Sequence, residues 1–137
     1  MYVFVVAMAK TCPHCRNFKR NVWPELKVKL KQDPRISNII EIEQDTMKPP
    51  SPPLDTWVNW WPTLLLITKQ SWDRQKDLEG FIFNGKIVEG KPMYIGGMEL
   101  TVDGVMKWID KVSTSGSVDV VKGRGSVVRY TYTKRKK

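Results

Sequence analysis

The chain has 137 residues, 41% of them apolar and 27% charged, which is ordinary composition for one globular domain with a modest core. No run approaches the roughly 18 apolar residues of a membrane-spanning helix. Two cysteines exclude a disulfide-dense scaffold, and with a single histidine they cannot by themselves fill a four-ligand zinc site, so no metal and no cofactor is expected. The net charge of +9 is uneven: residues 1–112 hold 16 Lys/Arg against 13 Asp/Glu, and residues 113–137 hold seven basic residues and one acid, Asp119. The excess therefore belongs to a C-terminal extension, which points to a tail for an acidic partner.

In chain order, Tyr2–Met8 is β-branched and aromatic throughout, as befits a central strand buried on both faces. It lacks the basic leader of a signal peptide, and Lys10 follows at once, so a reducing, cytoplasmic setting is expected. Thr11-Cys12-Pro13 stops the strand and opens a helix, with Pro in the first turn, where its missing N–H loses no partner. Phe18, Val22, Leu26 and Leu30 make its apolar stripe, Pro24 is expected to kink it, and Asp33-Pro34 ends it. Ile36–Ile42 predicts a second strand, and the proline-rich Met47–Leu54 a polyproline-like loop. Asp55 is expected to cap a helical turn through Trp57 and Trp60, and Trp61-Pro62-Thr63 leads into a third strand, Leu64–Thr68. The charged stretch 69–79 reads as an inserted loop. Phe81–Phe83, Asn84-Gly85 and Lys86–Val88 read as a β-hairpin. A strand over 91–95, the pair Gly96-Gly97 and a last helix from about Thr101 complete a domain spanning 1–112. Ser113–Ser117 reads as a linker, followed by Val/Tyr/Thr-rich segments of strand character and the basic end Lys134-Arg135-Lys136-Lys137.

Cys12-Pro13-His14-Cys15 carries the chemistry. Two cysteines three apart on a first helical turn can close a disulfide with little movement, and the positive end of the helix dipole favours a thiolate. Cys12 is expected to be the more exposed and the attacking sulfur, and Cys15 the buried, resolving one. A protonated His14 would favour the thiolate further, and Lys10 adds a second nearby cation. The bland alternatives are a structural CxxC, a solvent-facing His14, and a metal site completed by a second chain.

With this motif placed after a buried strand, and with Trp61-Pro62-Thr63 leading into another, the chain resembles the thioredoxin superfamily over residues 1–112. The resemblance implies an α/β thioredoxin-like fold, a central mixed sheet flanked by helices, here with a basic C-terminal extension. It implies a thiol–disulfide oxidoreductase acting on protein or glutathione-type thiols. It makes Pro62 a cis-proline beside the dithiol, with the backbone of Trp61 offered to substrate and Thr63 following. Gly96-Gly97 is similar to the glutaredoxin glycine pair that helps hold glutathione. Departures are visible: Thr11 replaces the Trp before the first Cys of thioredoxins, Pro13-His14 replaces Gly-Pro, and the first strand lacks their buried Asp. Pro-His is the dipeptide of the strongly oxidising periplasmic enzyme, whose thiolate pKa is about 3.5 and whose potential is near −120 mV, against about −270 mV for thioredoxin. A disulfide more oxidising than thioredoxin's is therefore expected.

The short domain with Trp-Pro-Thr and a Lys-rich end is also similar to thioredoxin-like proteins of large cytoplasmic DNA viruses. That similarity implies an alternative role, a virion or capsid component docked through its loops and residues 113–137. Nucleic-acid contact through Lys134–Lys137 is a third reading, although the tail lacks a known nucleic-acid-binding fold. Trp57, Trp60, Trp61 and Trp72 are mostly packing residues on this reading, with Trp61 the exposed one near the site.

Overall fold

A computed structural model describes residues 1–115, 117–121 and 129–133. It is a mixed α/β structure. Its elements are β1 (Tyr2–Ala9), α1 (Pro13–Asn21), α2 (Trp23–Gln32), β2 (Ile36–Gln44), β3 (Thr63–Thr68), α3 (Lys69–Arg74), β4 (Leu78–Ile82), β5 (Gly85–Val88), β6 (Lys91–Tyr94), α4 (Val102–Ser115), β7 (Ser117–Val121) and β8 (Arg129–Thr133). The main sheet runs β2-β1-β3-β4-β7-β8, and β5 with β6 forms a separate ribbon. β1 pairs parallel with β2 and antiparallel with β3, in the register Tyr2 opposite Thr68 and Ala7 opposite Thr63.

Alternation along β1 builds two cores. Phe4, Val6 and Met8 face a helical layer in which Phe18 of α1, Leu26 and Leu30 of α2, and Val105 and Ile109 of α4 are buried. Val3 and Val5 face the opposite side, against Leu54, Trp57, Leu78, Ile82 and Ile87. Burial on both faces is the reason β1 tolerates no polar residue. The C-terminal end of β1 delivers the chain directly to Cys12, at the N-cap of α1.

Several local expectations are revised. The kink expected at Pro24 is a full break at Val22 (φ −121°), and Pro24 sits in the first turn of α2, where a missing N–H costs nothing. Segment 69–79 is not all loop. Thr68 caps α3, its Oγ1 accepting from the Ser71 N–H at 3.3 Å, and Lys69 pairs with Asp73 one turn on. Residues 55–57 form a turn and 58–60 are irregular, with no helix there, and Leu54 and Trp57 are buried under the sheet.

The hairpin is displaced by one strand. Asn84-Gly85 is not its turn: β4 pairs with β3 and β7, while β5 pairs with β6 around Glu89 (φ 51°) and Gly90 (φ 77°). These consecutive left-handed residues make the turn geometry that a two-residue hairpin needs. Asn84 does a different job. Its side chain donates to the Met98 carbonyl and accepts from the Met98 N–H, both at 2.8 Å, tying the ribbon to the segment before α4. Ser113–Ser115 continue α4, with the Thr114 hydroxyl donating to the Asp110 carbonyl at 3.1 Å, and β7 then pairs with β4. Lys134, Arg135, Lys136 and Lys137 lie outside the described residues. Among the described residues, no helix is long and apolar enough to cross a membrane.

Candidate active site at the Cys12–Cys15 pair

The two cysteines are free thiols in this structure. Cys12, at the N-cap, has extended backbone (φ −95°, ψ 116°) and makes no cap bond with its side chain. Its thiol donates instead to the Trp61 carbonyl, with sulfur and oxygen 3.8 Å apart. Cys15, in the first turn of α1, turns into the core, and its Sγ accepts from the Ala9 N–H at 3.4 Å.

Exposure does not separate the two sulfurs as expected: Cys12 is 4% exposed and Cys15 2%. The Trp61 carbonyl of the cis-proline loop lies against the Cys12 sulfur. Burial, the largest influence, pushes the Cys15 thiol up to about 12; the Ala9 N–H acts against it, and the neighbouring Cys12 and the Glu43 charge add to it. Cys15 therefore holds its proton at neutral pH.

The Trp61–Pro62 peptide is cis. Pro62 is buried, and Thr63 is fully buried with its hydroxyl donating to the Trp60 carbonyl, which fixes the loop at the head of β3. Because β3 lies beside β1, this loop and the end of β1 arrive together, 49 residues apart in sequence.

A cavity of about 490 Å³ opens beside the pair, lined by His14, Trp61, Pro62, Trp60, Phe83, Asn84, Tyr94, Met98 and Leu100. Trp60 and Tyr94 meet edge to face across it, with ring centroids 5.3 Å apart. Met93, Tyr94 and Ile95, at the end of the ribbon and just past it, are 53–63% exposed. This is a mostly apolar groove with one imidazole at its dithiol end.

Of the residues singled out from sequence, Cys12, Cys15, His14, Trp61 and Pro62 come together here, with Thr63 holding the loop. Pro13 is exposed on the first turn of α1. Gly96 and Gly97 do not line the groove. They have φ of 76° and 93° and form the bend after β6, where the Gly96 N–H donates to the Asn84 carbonyl at 2.9 Å. Phe83, Asn84, Tyr94 and Met98 were not singled out. The exposed apolar run Met93-Tyr94-Ile95 was the available signal, and it reads as an ordinary strand. Among the described residues, no group of three or more His, Cys, Asp or Glu could hold a metal ion.

Comparison with protein families, curated proteins and solved structures finds no match to this chain.

Proposed function

We propose that the protein is a thiol–disulfide oxidoreductase of thioredoxin-like architecture, working through Cys12 and Cys15. The observation that carries this reading is the Cys12 thiol against the Trp61 carbonyl, 3.8 Å away. A dithiol turn at the end of a central strand meets a Trp-Pro-Thr loop that frames it, and a purely structural CxxC has no need of that loop or of an open groove beside it.

In the reductive direction, the Cys12 thiolate attacks one sulfur of a substrate disulfide. That S–S bond breaks, its electron pair leaves with the departing thiolate, and a mixed disulfide to Cys12 forms. Cys15 then loses its proton and attacks the Cys12 sulfur. The Cys12–Cys15 disulfide forms, and the second substrate thiol is released. Two electrons and two protons pass from the dithiol to the substrate; run backwards, the same steps oxidise a substrate dithiol. Pro62 shapes the groove wall, Trp61 offers its backbone to the bound chain, and His14 sits at the dithiol end of the groove, where a proton to or from the leaving thiol can be handled.

The test is exchange with a small disulfide and titration against glutathione buffers, read by alkylation and mass. Cys12→Ser is expected to abolish exchange and Cys15→Ser to accumulate a mixed disulfide on Cys12. The wild-type pair is expected to titrate as one two-electron couple above about −270 mV, in keeping with Pro13-His14. An active Cys12→Ser protein, or a pair with no reversible transition, would remove the proposal.

A further inference from the structure

The cations near Cys12 are gathered on one side of it. α1 carries Arg16, Lys19 and Arg20 and no acidic residue. Lys10 joins them, since Arg16 Nη1 donates to the Lys10 carbonyl at 3.0 Å. These four exposed residues, with Glu43 of β2, line a cleft of about 430 Å³. Lys19 is paired with Glu43 at 2.8 Å and Lys10 with Asp45 at 3.4 Å. Arg16 and Arg20 have no carboxylate partner among the described residues. Two guanidinium forks are thus left on the helix that carries the dithiol, and that is the side-chain type suited to carboxylates.

The topology separates this cleft from the apolar groove. β1 lies between β2 and β3 and ends just before Cys12. The groove opens on the β3 side through Trp61 and Pro62, the cleft on the β2 side through Glu43. A chain presenting a disulfide to Cys12 therefore meets apolar rings on one side and uncompensated positive charge on the other.

We infer that the redox partner is an acidic polypeptide, with a run of Asp or Glu within a few residues of its reactive cysteine that lies along Lys10, Arg16, Lys19 and Arg20. This rests on the oxidoreductase reading above. From Pro13 to Arg20, α1 advances about 10 Å. An extended chain covers that length with about three residues, so a short acidic run fits the cleft better than one isolated carboxylate does.

The experiment uses the full-length reduced protein and peptides with one cysteine each, held as a mixed disulfide with 2-mercaptoethanol. The cysteine is flanked by a run of Glu, of Ser or of Lys. Exchange is quenched in acid and read by mass. At low salt the Glu peptide is expected to react at least about tenfold faster than the Lys peptide, and about 0.5 M NaCl to bring them within about twofold of one another. Arg16→Glu with Arg20→Glu is expected to invert the order, and Arg16→Gln with Arg20→Gln to level it. Both double variants are expected to keep reducing hydroxyethyl disulfide, which shows that they fold, and each peptide rate is read relative to that variant's own hydroxyethyl disulfide rate. Equal peptide rates at low salt overturn the inference. So does a Glu preference that survives charge reversal, because it would then come from the chain's general charge of +9. Glutathione disulfide outrunning the Glu peptide overturns it too, since the cleft would then serve a small anion. If wild type fails to reduce hydroxyethyl disulfide, the oxidoreductase reading itself falls and takes the inference with it.

Discussion

The proton on Cys15 governs two measurable properties. Burial holds this thiol up at about 12, against an ordinary value of 9.0. Resolution of a mixed disulfide on Cys12 needs the Cys15 thiolate, so its rate is expected to rise about tenfold per pH unit between about pH 6 and 9. Single-turnover release of a labelled thiol measures this; a plateau near neutrality would show that Cys15 ionises early. The same burial bears on stability. A folded-state value above the unfolded one means that the native chain keeps a proton the unfolded chain gives up. The contribution is complete below about pH 9 and is lost as pH climbs toward 12, at on the order of 1 kcal/mol per pH unit. Urea unfolding of the reduced protein at pH 8, 9 and 10 is expected to show this fall, and Cys15→Ala is expected to flatten the part of it due to Cys15. Spacing alone made Cys15 the buried member, because the third residue after an N-cap turns under the helix. The burial of Cys12 was not legible, since it depends on a backbone carbonyl from the loop at Trp61.

Among the elements, α2, β2 and α4 are joined by one guanidinium. Arg35 reaches Asp33 with Nε and Nη2 at 3.0 and 2.7 Å, and Asp110 of α4 and the Ser113 hydroxyl with Nη1 at 2.7 and 3.2 Å. Its hydrogen bond holds the Asp33 carboxyl below the usual range, and that carboxylate is only 7% exposed. Arg35→Ala leaves Asp33 buried without its partner and is expected to cost about 1–3 kcal/mol in urea unfolding. Arg35→Lys is expected to recover only part of this, because a single ammonium cannot reach both carboxylates in the fork geometry. Equal stability of Arg35→Ala and wild type would show the clamp to be ornamental. The sequence did not display this clamp, since its partners are 75 residues apart. The ribbon was half legible. Asn84-Gly85 is a strong local turn signal, yet Asn84 spends its side chain on Met98, and the reversal moves to Glu89-Gly90. A turn dipeptide marks where the chain bends and leaves open which strands it joins.

At the scale of the molecule, the unbroken apolar run of β1 announced a strand buried on both faces. The extension after residue 112 was harder to place, because its strand-like composition names no partner. In the structure β7 occupies the edge of β4, with Leu78, Glu79 and Gly80 opposite Val121, Val120 and Asp119. Removing residues 116–137 uncovers that edge. The truncated protein is expected to melt about 5 °C lower and to self-associate at high concentration, as an unpaired edge invites. Exchange at Cys12 is expected to persist, since β1, α1 and β3 are untouched; calorimetry, sedimentation and the small-disulfide assay read the three outcomes. A folded truncation without exchange would mean that the extension completes the site. The central place of β1 has a further consequence during synthesis. β1 is made before both of the strands that flank it, and β3 is complete only at Thr68. At about 5–20 residues per second, Cys12 and Cys15 leave the ribosome several seconds before the loop and strand that cover them. For that interval the nascent chain carries two bare thiols, open to capture by glutathione or by each other before any fold exists to choose between them.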